Sequence, residues 1–306
     1  MKLGFFLPQM GKAAGPDALI KVAQRAENLG FSTVWTTDRL LFPVNPRSPY
    51  AGSPDGSLPD IYRIVYDPLD ALAWVAAHTK TLRLGTSVLD MPFYNPLTLA
   101  RRLSTIDNLS GGRLTVGLGQ GWSLDEYEAT NADASKRGKR ANEFLETLYA
   151  IWHDDPTEYS GNYFKIAASH IAPKPVQKPH PPVLLAAFSP PAMKRIAKYA
   201  DGWHPVGMPI PVIAQMWGQI KDMAKEEGRN PDDLRMIMRG NLEISDQPLG
   251  DGRFPFTGSY DQIKADIKAA EEIGTEELTF DPGFSSKGGS ADGFIEAMEK
   301  LRELAG

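Results

Sequence analysis

The chain has 306 residues, 42% of them apolar and 23% charged, with a net charge of −5. That composition is ordinary for a soluble protein with a full core, and its scattered Lys and Arg leave no basic stripe for nucleic acid. It contains no cysteine, which excludes disulfides, a thiolate nucleophile and Cys-ligated zinc.

Met1-Lys2-Leu3-Gly4-Phe5-Phe6-Leu7 has the look of a secretory leader, but Pro8-Gln9 cuts the apolar run too short. Residues 3–8 read instead as a strand, followed by a helix over 16–29 with Pro16 in its first turn and Gly30 as its stop. The second strand and helix are 32–38 and 68–78, the third 82–89 and 96–109, the fourth 114–120 and 136–152. Then come 183–187 with 190–199, 202–206 with 211–228, 234–244 with 260–273, and 277–281 with 291–304. No run approaches membrane-spanning length, so a soluble, cytoplasmic protein with no membrane partner is expected.

The third and fourth strands, Leu82 to Leu89 and Leu114 to Gln120, are continuous apolar runs rather than alternating ones. Such runs suit strands buried on both faces in a parallel sheet with helical crossovers. Eight strand–helix units predict an α/β fold, a closed (β/α)8 TIM-type barrel with insertions on its C-terminal face. An open doubly wound sheet would need a reversal of strand order that the pattern does not contain. The whole of 1–306 is expected to be one barrel domain, with insertions at about 39–67, 153–182 and 245–258. The first can serve as a lid. The second lies between a helix and the next strand and holds a hairpin signal, Tyr159 to Phe164. Strands three and four both finish in small or polar residues, at the edge where α/β folds place ligands.

Several segments together resemble the luciferase-like monooxygenase superfamily. They are Leu109-Ser110-Gly111-Gly112-Arg113 running into Gly117-Leu118-Gly119-Gln120-Gly121-Trp122 and Glu126-Tyr127, then Thr37-Asp38, Gly85 to Leu89, Pro173 to Pro182, Ser189-Pro190 and Asp201-Gly202-Trp203. The likeness is greatest to the branch that uses the deazaflavin coenzyme F420, rather than flavin mononucleotide (FMN). It implies a TIM-type barrel and a homodimer. It also implies a cofactor ring lying against Ser87-Val88, where relatives carry a non-proline cis peptide, with Gln120, Gly121 and Trp122 beside it. Asp90 and Asp125 align with cofactor contacts but differ in residue type from the relatives.

Taken as residues, Gly117 to Gly121 do not meet the dinucleotide fingerprint, since they end a fourth strand and lack its spacing. They either admit a flat ring or reflect crowding at the rim. Asp38 can bond the ring edge or polarise substrate. Arg39 stands where sugar-phosphate dehydrogenase relatives have a histidine acid, and Trp122 where they have a glutamate base, so sugar dehydrogenation is not expected. Arg39 cannot release its proton near neutrality and would hold an anion or orient a carbonyl. Asp38-Arg39 can equally be a rim ion pair. Ala187-Phe188-Ser189, with Ala192 in the helix that follows, suits a phosphate at a helix N-terminus, though Ser189 can be a plain N-cap. His204, the only one of the five histidines at a catalytic-face strand end, is a third candidate for orienting substrate, or else a buried histidine. Trp35, Trp74 and Trp152 read as core. Arg137, Arg140 and Glu143 read as a salt-bridged surface or a support for the strand-four loop.

No metal site is expected, since no two histidines have ligand spacing. The expected function is transfer of a hydride between reduced F420 and a small organic substrate. Catalytic candidates are Asp38, Arg39 and His204. Cofactor contacts are Asp38, Ser87, Val88, Asp90, Gln120, Gly121, Trp122, Ala187, Phe188, Ser189 and Ala192. Two alternatives stay open: an FMN-dependent monooxygenase using oxygen, and a barrel that binds a flavin-like ligand without turnover.

Overall fold

A computed structural model of the chain describes every residue except Pro54 and Gly306. Eight parallel strands form the barrel: β1 Lys2–Phe6, β2 Thr33–Thr36, β3 Arg83–Thr86, β4 Leu114–Gly119, β5 Val183–Leu185, β6 Gly202–Trp203, β7 Arg235–Asn241 and β8 Glu277–Asp281. Each pairs with its neighbour in chain order, and β8 returns to β1 with Leu3 opposite Leu278, so the barrel closes. The helices that follow the strands are α1 Pro16–Asn28, α2 Pro68–His78, α3 Pro96–Ser110, α4 Arg137–His153, α5 Pro190–Tyr199, α6 Ile210–Glu226, α7 Tyr260–Glu272 and α8 Ala291–Ala305. Among the described residues no helix is long and apolar enough to cross a membrane.

Local chemistry explains these boundaries. All six residues of β4 are buried, as a strand walled on both faces requires. The Asp67 carboxylate accepts from the backbone N–H groups of Leu69 and Asp70 and starts α2, while Ser259 and Gln262 form a reciprocal capping box at α7. The chain ends α3 by turning left-handed at Gly111 and Gly112, with φ of 69° and 83°, which glycine adopts without steric cost. That turn delivers Arg113 to the lower rim. There its guanidinium donates to the carbonyls of Ala76, Thr79, Leu82 and Ser110 and to the Thr79 hydroxyl. Nearby, the Asp107 carboxylate accepts from the backbone and side-chain amides of Gln177, docking the proline-rich segment beneath β4. The motifs around Arg113 and Gln177 therefore close the bottom of the barrel.

Two expectations need correction. Trp74 is 44% exposed rather than core, because it lies on the outer side of α2, its indole N–H donating to the Pro16 carbonyl. Glu143 is not paired with Arg137 or Arg140. It is buried and accepts the N–H groups of Asn162, Tyr163 and Phe164 at the tip of an antiparallel hairpin, Thr157–Ser160 with Lys165–Ser169. Arg140 stacks over Phe164, 5.1 Å from its centroid. The hairpin is where the sequence places it, and its tip is stitched to α4 by that one carboxylate. Trp35 and Trp152 are buried as expected.

Candidate active site

The C-terminal end of β4 meets the described part of residues 39–67, where Arg39 and Arg47 reach Glu126 and Asp125. At the end of β3 the Ser87–Val88 peptide bond is cis, and three elements hold it. The Ser87 N–H donates to the Thr36 carbonyl at 2.7 Å, and the Ser87 carbonyl accepts from Arg239 Nη1 at 3.3 Å. The Ser87 hydroxyl lies 2.7 Å from His204 Nε2. His204 Nδ1 lies 2.7 Å from the Ile237 carbonyl, so it must carry the proton there, and Nε2 accepts from Ser87. Burial pushes the imidazole down to about 4, and its ring stacks on Trp35 with centroids 5.0 Å apart. His204 is thus a neutral, fully engaged group behind Ser87.

Carboxylates crowd the other side of the mouth. Asp38 accepts from the Tyr94 hydroxyl at 2.8 Å and from the Asp90 N–H at 3.4 Å. Burial, outweighing those bonds, raises its pKa to about 6. Asp90 accepts from the Gly121 N–H at 2.8 Å and is raised to about 8, by burial first and then by the charges of Asp38 and Glu126. Gly121 itself has φ of 69°, and a Cβ there would press on the Phe93 ring at 2.8 Å, so this glycine is needed by the chain's own packing. Gln120 is half-buried, its side-chain amide donating to the Arg137 carbonyl while the Tyr127 hydroxyl donates to the Gln120 carbonyl.

Arg39 pairs with Glu126 and not with Asp38. Its Nη1 lies 3.0 Å from Glu126 Oε2, with side-chain exposures of 4% and 2%. Its Nε donates to the Leu41 carbonyl, and Glu126 also accepts from the Leu40 N–H. The guanidinium lies 4.7 Å from the Trp122 ring and 5.4 Å from that of Tyr62, and Nη2 is buried with no acceptor among the described residues. The overhanging segment is tied down by Arg47, whose N–H donates to Asp125 and whose guanidinium reaches Glu128. Gln9 holds both ends of it: its amide donates to the Thr37 and Tyr66 carbonyls, and its carbonyl accepts from the Thr37 N–H.

At β5 the expected anion cradle is thinner than the sequence implies. Pro190 and Pro191 fill the first two positions of α5 and carry no N–H, and the Ala192 N–H is bonded to the Ser189 carbonyl. The Phe188 and Ser189 N–H groups make no hydrogen bond within the described residues, and Ser189 makes no side-chain cap. Phe188 is exposed and Ala187 and Ala192 are buried, so Ala187 and Ala192 form a wall and Phe188 and Ser189 the open edge.

Sequence reading missed Glu126, Tyr94, Gln9 and the pair Arg239–Asp281, joined at 2.6 Å with Asp281 1% exposed. Glu126 appears in the sequence only as part of the Glu126-Tyr127 resemblance motif, which assigns it no role. Ser123 accepts from the Glu126 N–H, and the carboxylate turns to Arg39. Arg239 and Asp281 did leave a signal, since a charge within an otherwise apolar, doubly buried strand must find a partner.

Residues 1–248 match the family described as luciferase-like monooxygenase. Among curated relatives, an F420-dependent glucose-6-phosphate dehydrogenase of Amycolatopsis mediterranei is 31% identical over 274 residues, 85% of this chain and 76% of that one. The oxygenase component of a flavin-dependent trigonelline monooxygenase of Acinetobacter baylyi is 29% identical over 178 residues, 57% of this chain and 44% of that one. Among solved structures, monooxygenase RslO1 from Streptomyces bottropensis superposes with a TM-score of 0.81 at 21% identity, covering 99% of this chain and 98% of that one, which shows the shared fold.

Proposed function

Because the chain belongs to the luciferase-like monooxygenase family, we propose that it is an oxidoreductase moving a hydride between reduced F420 and a small organic substrate at the C-terminal mouth of its barrel. The observation that carries this is the Asp38–Asp90 pair, two carboxyl groups held at about 6 and 8 beside the end of β3. Groups poised near neutrality at a strand end are what proton transfer requires.

The residues present fit a deazaflavin at two places. Ser87-Val88 offers a backbone ledge fixed from behind by His204 and Arg239. The Phe188 and Ser189 N–H groups and the Ser189 hydroxyl are free to meet a phosphate. When bound, a reduced deazaflavin supplies the hydride. Asp38, with the Tyr94 hydroxyl donating to it, holds or releases the accompanying proton. His204 acts through Ser87 as a positioning residue and does not touch substrate. The described residues of 39–67, pinned by Gln9 and Arg47, cover the mouth and keep water from the hydride path. Arg39 and Trp122, in place of an acid and a base, remain a reason against sugar dehydrogenation, despite the named activity of the Amycolatopsis relative.

The second reading, an FMN-dependent monooxygenase, is favoured by the flavin-dependent relative. Anaerobic fluorescence titration of the purified protein with F420 and, separately, with FMN decides between them. We expect saturable F420 binding and F420H2-dependent reduction of activated carbonyl compounds. Tight FMN binding with indifference to F420 would contradict the proposal, and F420 binding without turnover across a broad panel would favour the non-catalytic barrel.

A further inference from the structure

We infer that Arg39 Nη2 is the anchor for a neutral, flat carbonyl substrate, whose oxygen takes the unpartnered N–H while its body lies on Trp122; this rests on the hydride-transfer proposal above. A guanidinium N–H that is buried and unbonded is costly, and this one belongs to a side chain only 4% exposed. Nη1 donates to Glu126 and Nε to the Leu41 carbonyl. Nη2 therefore waits for an acceptor that no described residue supplies.

The surrounding charge selects the kind of acceptor. Asp38, Asp90 and Glu126 are coupled closely enough for the charges of Asp38 and Glu126 to raise Asp90, and Arg39 is the cation salt-bridged within this group. Arg239 is already matched by Asp281. A carboxylate or phosphate on the substrate would add a further negative charge to a cluster already short of cations, whereas a carbonyl oxygen accepts the N–H without that repulsion. The surface beside the guanidinium is flat and aromatic: Trp122 is 39% exposed, Tyr50 lies 5.6 Å from it, and the guanidinium itself covers part of the Trp122 ring. The exposed part of that ring suits a planar, conjugated body whose oxygen reaches the guanidinium edge.

Acetophenone, benzoate and ethylbenzene are the probes, being of similar shape with a neutral acceptor, an anionic acceptor and none. Their affinities are measured by calorimetry on the wild type in the presence of F420, on Arg39→Met, and on the double variant Arg39→Met/Glu126→Gln, which leaves no buried charge unpaired should the single variant misfold. We expect acetophenone to bind at least tenfold more tightly than either other probe, and to lose that advantage in the variant that folds. Benzoate binding more tightly in an Arg39-dependent way, acetophenone binding unchanged without Arg39, or no acetophenone binding up to its solubility limit would each overturn the inference. F420 affinity is read on the same preparations. Failure of the cofactor to bind is thereby separated from indifference of acetophenone to Arg39.

Discussion

At the lower rim Arg113 directs its guanidinium to four carbonyls and a hydroxyl, and Asp107 meets two amides of Gln177. At the upper rim Arg39 leaves its Nη2 without a partner among the described residues, and Asp38 and Asp90 are held far from their ordinary pKa. Both arginines lie in or near the segments that carry the family resemblance. A fully satisfied polar cluster stabilises, and a frustrated one waits for a ligand. Shared sequence alone does not separate the two, and the hydrogen-bond balance does.

The comparison can be broken most severely at Glu126. Glu126→Ala leaves the Arg39 guanidinium buried without its counter-charge, and we expect a loss of about 3–5 kcal/mol in urea unfolding. A loss near zero would mean that Arg39 relaxes to solvent. Arg113→Ala should cost about 3 kcal/mol by orphaning carbonyls at the lower rim, while F420 affinity of the folded fraction stays within twofold. A large fall in that affinity would contradict the division between rims.

The third change sharpens the contrast through pH. Asp90 is raised from 3.8 to about 8, so the native chain keeps a proton that the unfolded chain releases. Its contribution to stability is fully present below about pH 4 and is lost as pH rises through about 8. Asp90→Asn keeps an acceptor for the Gly121 N–H and removes that loss. The variant should match the parent near pH 4 and exceed it by about 1–3 kcal/mol near pH 9. His204 acts in the opposite sense: lowered from 6.5 to about 4, it adds stability that disappears as pH falls through that interval. An Asp90→Asn profile parallel to the parent's would show that Asp90 ionises freely.

Much of the fold was legible because both of its signals are local. Continuous apolar runs mark doubly buried strands, and a proline in the first turn marks the start of α1, α2, α3 and α5; α2, α5 and β8 fall where the pattern puts them. Asp38 and Arg39 were marked by their place at a strand end, and Ser87 and Gly121 by the family resemblance. What was not legible is which partner each side chain meets. Arg39 bonds a residue 87 positions away and His204 one 117 away, and no local pattern encodes such pairs. The two prolines that thin the α5 cradle were visible, yet only the bonded Ala192 N–H shows how few donors remain.

The most direct test is a crystal structure of the protein grown with saturating F420. We predict the deazaflavin ring against Ser87-Val88, its edge facing Asp38 and Gly121, and its phosphate within hydrogen-bond distance of the Phe188 or Ser189 N–H. A ring bound elsewhere, or no cofactor density at the mouth despite saturating F420, would contradict the account.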